Sequence, residues 1–408
     1  MEINMKETIM RKITYSVCVF FVTLALLMAL LILASAIPNK WLATHQEQAA
    51  KILEAEGNYP KHFFATDPSQ QDNFTDKIII RHSLNDENDN ALVAAMHKNY
   101  PRYWHGYEIY MRPLLVAFNL YQIRYLFMIT YISLFVFTAI LISRHIDVPS
   151  AAAFLFAIAM TYVVVVTTSL QFLPMFLICF STIILELLFP SLVEKDSFLF
   201  YMVVGMVTSF VDLLTAPIIT LGLPLIVFIL KFDAKVGIKK FAKTIVTNSL
   251  FWGIGYACTW SGKWLIGSMI LRENVLQSAA DAISFRTMGS DDYAGGLLTD
   301  RFEAIRVNFV TMFSPEGKRA ALFLFLLLAV FIVFAAMHLT KDKNRIMQAI
   351  GILFVGFYPY MWYFVLSNHS IIHHFFTFRA QAITAFAILA CICRLTDWSR
   401  VGTKRPLN

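Results

Sequence analysis

Ser367-Asn368-His369-Ser370-Ile371-Ile372-His373-His374-Phe375-Phe376-Thr377-Phe378-Arg379 is a polar, histidine-rich knot set between two long apolar runs, and its arginine opens the second run. An apolar run of about 20 residues is long enough to cross a bilayer. A charge at the edge of such a run is costly unless it has a partner or a task. The knot therefore reads as the connection between two membrane helices. Further runs of the same kind decide the fold class.

The chain of 408 residues is 58% hydrophobic and only 15% charged, with a mean hydropathy of +0.62. That composition describes an all-α, polytopic membrane helical bundle rather than a soluble domain. About ten spans fit the apolar runs, at 13–37, 119–142, 150–168, 171–192, 197–214, 217–231, 244–261, 320–339, 347–366 and 375–393. The run Ile13–Ile37 follows Lys6, Arg11 and Lys12 and ends near Ala34-Ser35-Ala36. It is longer than the roughly 7–15 apolar residues of a secretory signal and is taken as the first span.

Orientation follows from Lys and Arg in the short loops. Arg144, the lysines from Lys231 to Lys243, the group Lys341, Lys343 and Arg345, and the tail residues Arg394, Arg400, Lys404 and Arg405 all join the N-terminal cations on one side. The expected topology is N-in, C-in. The net charge of +7 is then loop bias, and no basic run is interleaved with aromatics as a nucleic-acid surface would require. Cys18, Cys179, Cys258, Cys391 and Cys393 all lie in apolar runs and read as packing residues.

This topology leaves two extracytoplasmic caps, 38–118 and 262–319, within a single integral-membrane domain. In the first, Trp41, Leu42, His45, Ala49, Ile52 and Leu53 recur at helical spacing until Gly57-Asn58-Tyr59-Pro60 stops them, which predicts an interfacial helix. A second helix is expected over Asn88–His97. Asn73-Phe74-Thr75 also matches a glycosylation sequon. In the second cap, Asp291-Asp292 beside Gly295-Gly296 reads first as a turn. Asp212 stands at the outer end of the fifth span. Glu186, deeper in the fourth, reads as a structural pairing partner.

Most of the unusual polar residues thus fall on one face. Asp76, Asp72 and Asp212 are the candidate acids, since a carboxylate can deprotonate an incoming hydroxyl. Arg379, Arg112, Lys263, His369, His373 and His374 are candidates for holding a phosphate and stabilising its charge as it departs. Trp104, His105 and Tyr107 would shape a sugar pocket, the aromatic rings offering apolar faces. His369 and His373, four apart, share a helical face, but a metal held by histidines alone leaves the acids unexplained, and no metal ligands are assigned. There is no P-loop, no dinucleotide fingerprint and no zinc-type cysteine spacing.

The layout resembles the GT-C class of integral-membrane glycosyltransferases. Asp72-Asn73-Phe74-Thr75-Asp76, Tyr103-Trp104-His105-Gly106-Tyr107, Arg112-Pro113-Leu114-Leu115 and the knot 368–379 look like bacterial multi-span proteins of surface-polysaccharide synthesis. The resemblance implies a polyprenyl-phosphate-linked sugar donor and a carboxylate base in the first outer loop, which falls on Asp76 or Asp72. In that class the acid often follows the first span closely, whereas Pro38–Gln46 contains none. The implied activity is transfer of a sugar to a cell-envelope glycan or lipid-linked acceptor, at the outer face of a bacterial plasma membrane. The implied partners are the bilayer, the lipid-linked sugar and the glycan acceptor, and a divalent cation is left open as a cofactor. An outer-face polysaccharide polymerase or ligase, and a transporter or flippase of lipid-linked saccharide, are the competing readings.

Overall fold

The computed structural model describes residues 2–62, 65–96, 101–232, 237–288, 297–313 and 318–400. Among them there is no strand, only two isolated bridges, Lys61–Gln70 and Leu339–Thr396. The first helix, α1 (Glu2–Ser35), leads into α2 (Asn39–Glu56), α3 (Asn73–His82), α4 (Ala91–Met96) and α5 (Glu108–Ala117). The middle of the chain is α6 (Leu120–His145), α7 (Val148–Ala159), α8 (Val163–Thr168), α9 (Leu173–Leu188), α10 (Pro190–Lys195), α11 (Ser197–Val211) and α12 (Ile219–Lys231). Then come α13 (Ile238–Leu271), α14 (Val275–Met288), α15 (Leu297–Phe313) and α16 (Lys318–Met337). The chain closes with α17 (Lys343–Gly356), α18 (Tyr358–Val365), α19 (Ser367–Ile372), α20 (His374–Thr377) and α21 (Ala382–Leu395).

Among the described residues, four helical stretches are long and apolar enough to cross a membrane: Met10–Ser35, Leu120–His145, Lys343–Val365 and His374–Leu395. Shorter apolar helices lie beside them, at α7, α9, α11, α12 and Leu324–Met337. Large apolar side chains such as Phe21, Val22, Leu26, Tyr125 and Ile129 stand exposed on α1 and α6. A continuous surface of that kind suits lipid and not water.

Several of the apolar runs are interrupted. The run 150–168 is two helices, parted by Met160 to Tyr162, where Tyr162 has φ +59. The run 171–192 ends at Leu188, because Pro190 constrains Phe189 and starts α10. The run 244–261 lies inside the 34-residue α13, which continues to Leu271, within the segment expected to begin the second cap. Each interruption leaves backbone donors and acceptors that an apolar surrounding cannot satisfy.

In the 38–118 segment, α2 buries Leu42, Ala49 and Leu53 against the protein and leaves Trp41 exposed. It stops at Gly57, whose φ of +81 suits a residue without Cβ. Asn73 is buried, its amide donating to Glu56 Oε2 at 3.0 Å and to the Gly57 carbonyl at 3.0 Å. The sequon asparagine thus ties α3 to the end of α2 and has no exposed face for a glycan. The expected helix over 88–97 is the shorter α4; His97 lies outside the described residues.

At the opposite end, helix termini are stitched together. Arg394 pairs with Asp147 at 3.3 Å and donates to the Leu230 carbonyl at 2.8 Å. Arg345 donates to the Thr396 carbonyl at 2.9 Å, and Gln348 to the Phe232 carbonyl at 2.7 Å. Deeper in the bundle, Glu186 is buried and accepts from the Tyr201 hydroxyl at 2.6 Å, a structural pairing.

The tightest helix crossing is α11 against α13. Gly205 faces the Trp252 carbonyl and Gly255 faces the Met202 carbonyl, so close that a Cβ on either would overlap backbone atoms. Small residues permit such approach in apolar bundles. Gly255→Ala should therefore destabilise the protein by about 1–3 kcal/mol, as overpacking against rigid atoms does. Gly253→Ala on the same helix meets nothing within 4 Å. A thermal melt in detergent should show a lowered transition for the first variant alone; equal transitions would contradict the crossing.

Candidate functional site

A cavity of about 190 Å³ opens where the 38–118 segment meets α14 and α19. Asp72, His105, Tyr107, Arg286, His369 and His373 supply its polar wall, with Tyr59, Tyr103 and Phe376 as ring faces. A larger chamber of about 750 Å³ shares Arg286, His369 and His373 with it. A third, of about 320 Å³, shares Tyr59 and His373 and adds His374. His373 borders all three. A separate groove of about 330 Å³, bounded by Phe309, Phe325, Phe331 and Leu389, holds no carboxylate, imidazole or basic group.

Asp72 is placed by helix capping. Its carboxylate accepts from the Thr75 backbone N–H at 3.0 Å and the Thr75 hydroxyl at 2.8 Å, which starts α3. Burial raises its carboxyl above the ordinary carboxylate range, and the Thr75 donors pull part of the way back. A base shifted toward neutral pH is suited to accepting a proton from a hydroxyl.

His105 and Tyr107 come from a strained corner. His105 has φ +55, and the next residue, Gly106, donates its N–H to the Phe210 carbonyl at 2.9 Å where a Cβ would collide with Phe210. The corner brings His105 Nδ1 to 2.8 Å from the Tyr107 hydroxyl, which also lies 3.4 Å from His82 Nδ1. His369, on α19, and His373, which caps its C-terminus, have ring centroids 4.7 Å apart, and His369 Nε2 lies 2.9 Å from the Leu214 carbonyl. Burial lowers His373 to about 4, helped by the charge of Arg286 and by His374. It drives His369 well below its ordinary value, with His373 and Arg286 adding to the effect. At neutral pH both imidazoles are uncharged hydrogen-bonding groups, and the cation in the inner cavity is Arg286.

The remaining candidates from the sequence lie elsewhere. Asp76 is fully buried behind the cavity floor. Its carboxylate accepts from the N–H groups of Leu170 at 3.0 Å and Gln171 at 3.1 Å and from the Ser169 hydroxyl at 3.3 Å. Asp212 holds the turn after α11, accepting from Thr215 N–H at 2.9 Å and from the Tyr256 hydroxyl at 3.3 Å. Arg379 is fully buried over the Phe172 ring and donates to the carbonyls of Thr161, Phe375 and Pro68, at 3.1, 3.1 and 3.3 Å. Arg112, also fully buried, donates to the carbonyls of Ala34 (2.8 Å), Ile37 and Ser83. Lys263 Nζ lies 3.4 Å from the Met96 carbonyl and 5.4 Å from the Trp104 ring centre. Trp104 itself is buried and donates to the Thr259 carbonyl at 2.7 Å. His374 Nδ1 lies 3.0 Å from the Thr311 hydroxyl.

Arg286, Tyr59, Tyr103 and Gln171 are among the cavity residues absent from the sequence-derived candidates. Tyr59 stood in a helix-stop signal, and nothing local in the α14 sequence marks its arginine. Among the described residues, no group of three or more His, Cys, Asp or Glu side chains is arranged to hold a metal ion. Asp291-Asp292, like the tail residues Lys404 and Arg405, lies outside the described residues.

Burial pushes Asp76 up to about 7, against the pull of its backbone donors and of Arg124. A carboxyl raised in the folded state binds its proton more tightly there than in the unfolded chain. Its contribution is therefore fully present below the ordinary value of 3.8 and is lost as pH rises toward about 7. Asp76→Asn, which cannot ionise, should make the pH dependence of the detergent melting temperature shallower between about pH 4 and pH 7. An unchanged slope would contradict this.

Comparison of the chain with family models, with characterised proteins and with solved structures finds no match.

Proposed function

We propose that this chain is a polytopic glycosyltransferase of a bacterial plasma membrane, similar in layout to the GT-C class. On this reading it has about ten crossings, both termini on the cytoplasmic side, and the cavity on the outer face. The four span-length helices support a multi-pass bundle. The stitching of Asp147, Leu230, Arg345 and Arg394 supports placing the basic loops together at one end.

One observation carries the reading. A carboxylate, imidazoles, phenols and an arginine, drawn from residues 59 to 376, surround one cavity at the end of an apolar bundle. In the proposed reaction Asp72 accepts the proton of an acceptor hydroxyl. That oxygen forms a bond to the anomeric carbon of the donor sugar as the bond from that carbon to the phosphate oxygen breaks. The bonding pair leaves with the lipid phosphate, and the arginine stabilises the charge that develops. Tyr59, Tyr103 and Phe376 offer faces to the sugar, and His105, Tyr107 and His373 offer hydrogen bonds to its hydroxyls.

The test is sugar transfer from a polyprenyl-phosphate sugar by the purified protein in vesicles. Asp72→Asn should remain in the membrane and lose about 10²–10⁴-fold in rate, the usual contribution of a positioned base. Full activity in that variant would remove the base. A ladder of products would indicate a polymerase, and movement of labelled lipid-linked saccharide without covalent product would indicate a transporter.

A further inference from the structure

The large chamber of about 750 Å³ adjoins the inner cavity, and two arginines line it, Arg102 and Arg286. Both lie over one ring. Arg286 Cζ is 5.5 Å and Arg102 Cζ 5.8 Å from the centre of Tyr103. That ring is itself fixed: it is buried, and it packs edge-on against Trp260 at 5.8 Å and against His105 at 6.3 Å. The Trp264 indole N–H holds the Arg102 carbonyl at 3.0 Å. A guanidinium held near an aromatic face carries N–H groups that match the oxygens of a phosphate in pairs.

The rest of the wall has a different chemistry. Asn274, Gln277, Ser278 and Asp281 stand at the spacing of one helical face and present amides, a hydroxyl and a carboxylate toward the chamber. Gln277 donates to Asp281 at 2.9 Å, so the acid is part of this polar row. Such a row pairs with sugar hydroxyls, each of which both donates and accepts.

We propose that Arg102 and Arg286, gathered over the Tyr103 ring, form a clamp for the phosphate of a phosphorylated saccharide whose hydroxylated body lies along the Asn274–Asp281 face. Arg286 borders both chambers, so the clamp stands at the passage between them. The assignment rests on the transfer reading for its purpose. Its chemistry stands on the arginine–tyrosine geometry and the polar helix face.

The experiment uses the full-length protein in nanodiscs, with glucose 1-phosphate as the water-soluble probe and farnesyl phosphate as the lipid probe. Arg286→Gln and Arg102→Gln should each weaken binding of at least one probe by about tenfold or more, the loss of a charge-assisted pair. Gln277→Ala should weaken glucose 1-phosphate relative to inorganic phosphate. Loss confined to glucose 1-phosphate identifies a water-borne ligand, and loss confined to farnesyl phosphate identifies a lipid headgroup. Either outcome supports the clamp. If Arg286→Gln does not fold, Arg102→Gln carries the test alone. No binding to the unaltered protein, or binding within about twofold in every folded arginine variant, overturns the clamp. The two readings separate cleanly. Weakened binding in a protein that never transfers sugar keeps the clamp and ends the transferase. Normal binding in Arg286→Gln, with transfer lost in Asp72→Asn, does the reverse.

Discussion

A helix that breaks inside an apolar bundle exposes backbone N–H and C=O groups to surroundings that cannot hydrogen-bond them. Each group left unpaired costs about 1–3 kcal/mol, and more where no water reaches. This chain breaks its helices repeatedly, and it mends the breaks with charged side chains. Asp76 closes the turn between α8 and α9 by accepting from two backbone N–H groups and a hydroxyl. Arg379 spans the break before Tyr162, the turn at Phe375 and the carbonyl of Pro68. Arg112 gathers the carbonyls where α1 and α3 end. In each case backbone dipoles compensate the buried polar group, and opposite charges add to this at Asp76, from Arg124, and at Arg112, from Glu108.

Those repairs also build the cavity. The turn held by Asp76 carries Gln171 into the cavity wall. The turn held by Asp212 sets Leu213 in the wall and presents the Leu214 carbonyl, at φ +65, to His369. Gly106 lets the His105 corner press against Phe210, and so aims His105 and Tyr107 inward. Irregular backbone in apolar surroundings is tolerated only where it is buried in protein or lines a cavity. Here it does both, and strained residues such as His105 and Leu214 lie beside the polar groups.

With Asp76, Arg112 and Arg379 committed to backbone, the electrostatics of the cavity become simple. One capped carboxyl, raised by burial, shares the cavity with one arginine, the uncharged imidazoles of His369 and His373, and phenols. A histidine cluster that looks cationic in the sequence is neutral once buried beside Arg286. The positive charge falls to an arginine in a helix of ordinary composition.

The sequence by itself determined the all-helical membrane class, because apolar runs and their turn signals are local properties. It also marked Asp72, His105, Tyr107, His369 and His373, since polar residues crowded at the ends of apolar runs stand out against their neighbours. Burial and hydrogen bonding are not local. In the sequence Arg112, Arg286 and Arg379 are three arginines near aromatic residues, and nothing distinguishes their tasks. Tertiary structure decided that carbonyls from distant segments surround the guanidinium groups of Arg112 and Arg379, while Arg286 faces two chambers. It likewise decided which of two aspartates four residues apart borders the cavity: Asp72 is the N-cap of α3, its carboxylate folded back onto Thr75 at the cavity wall, whereas Asp76 lies within the helix and reaches the backbone N–H groups of Leu170 and Gln171.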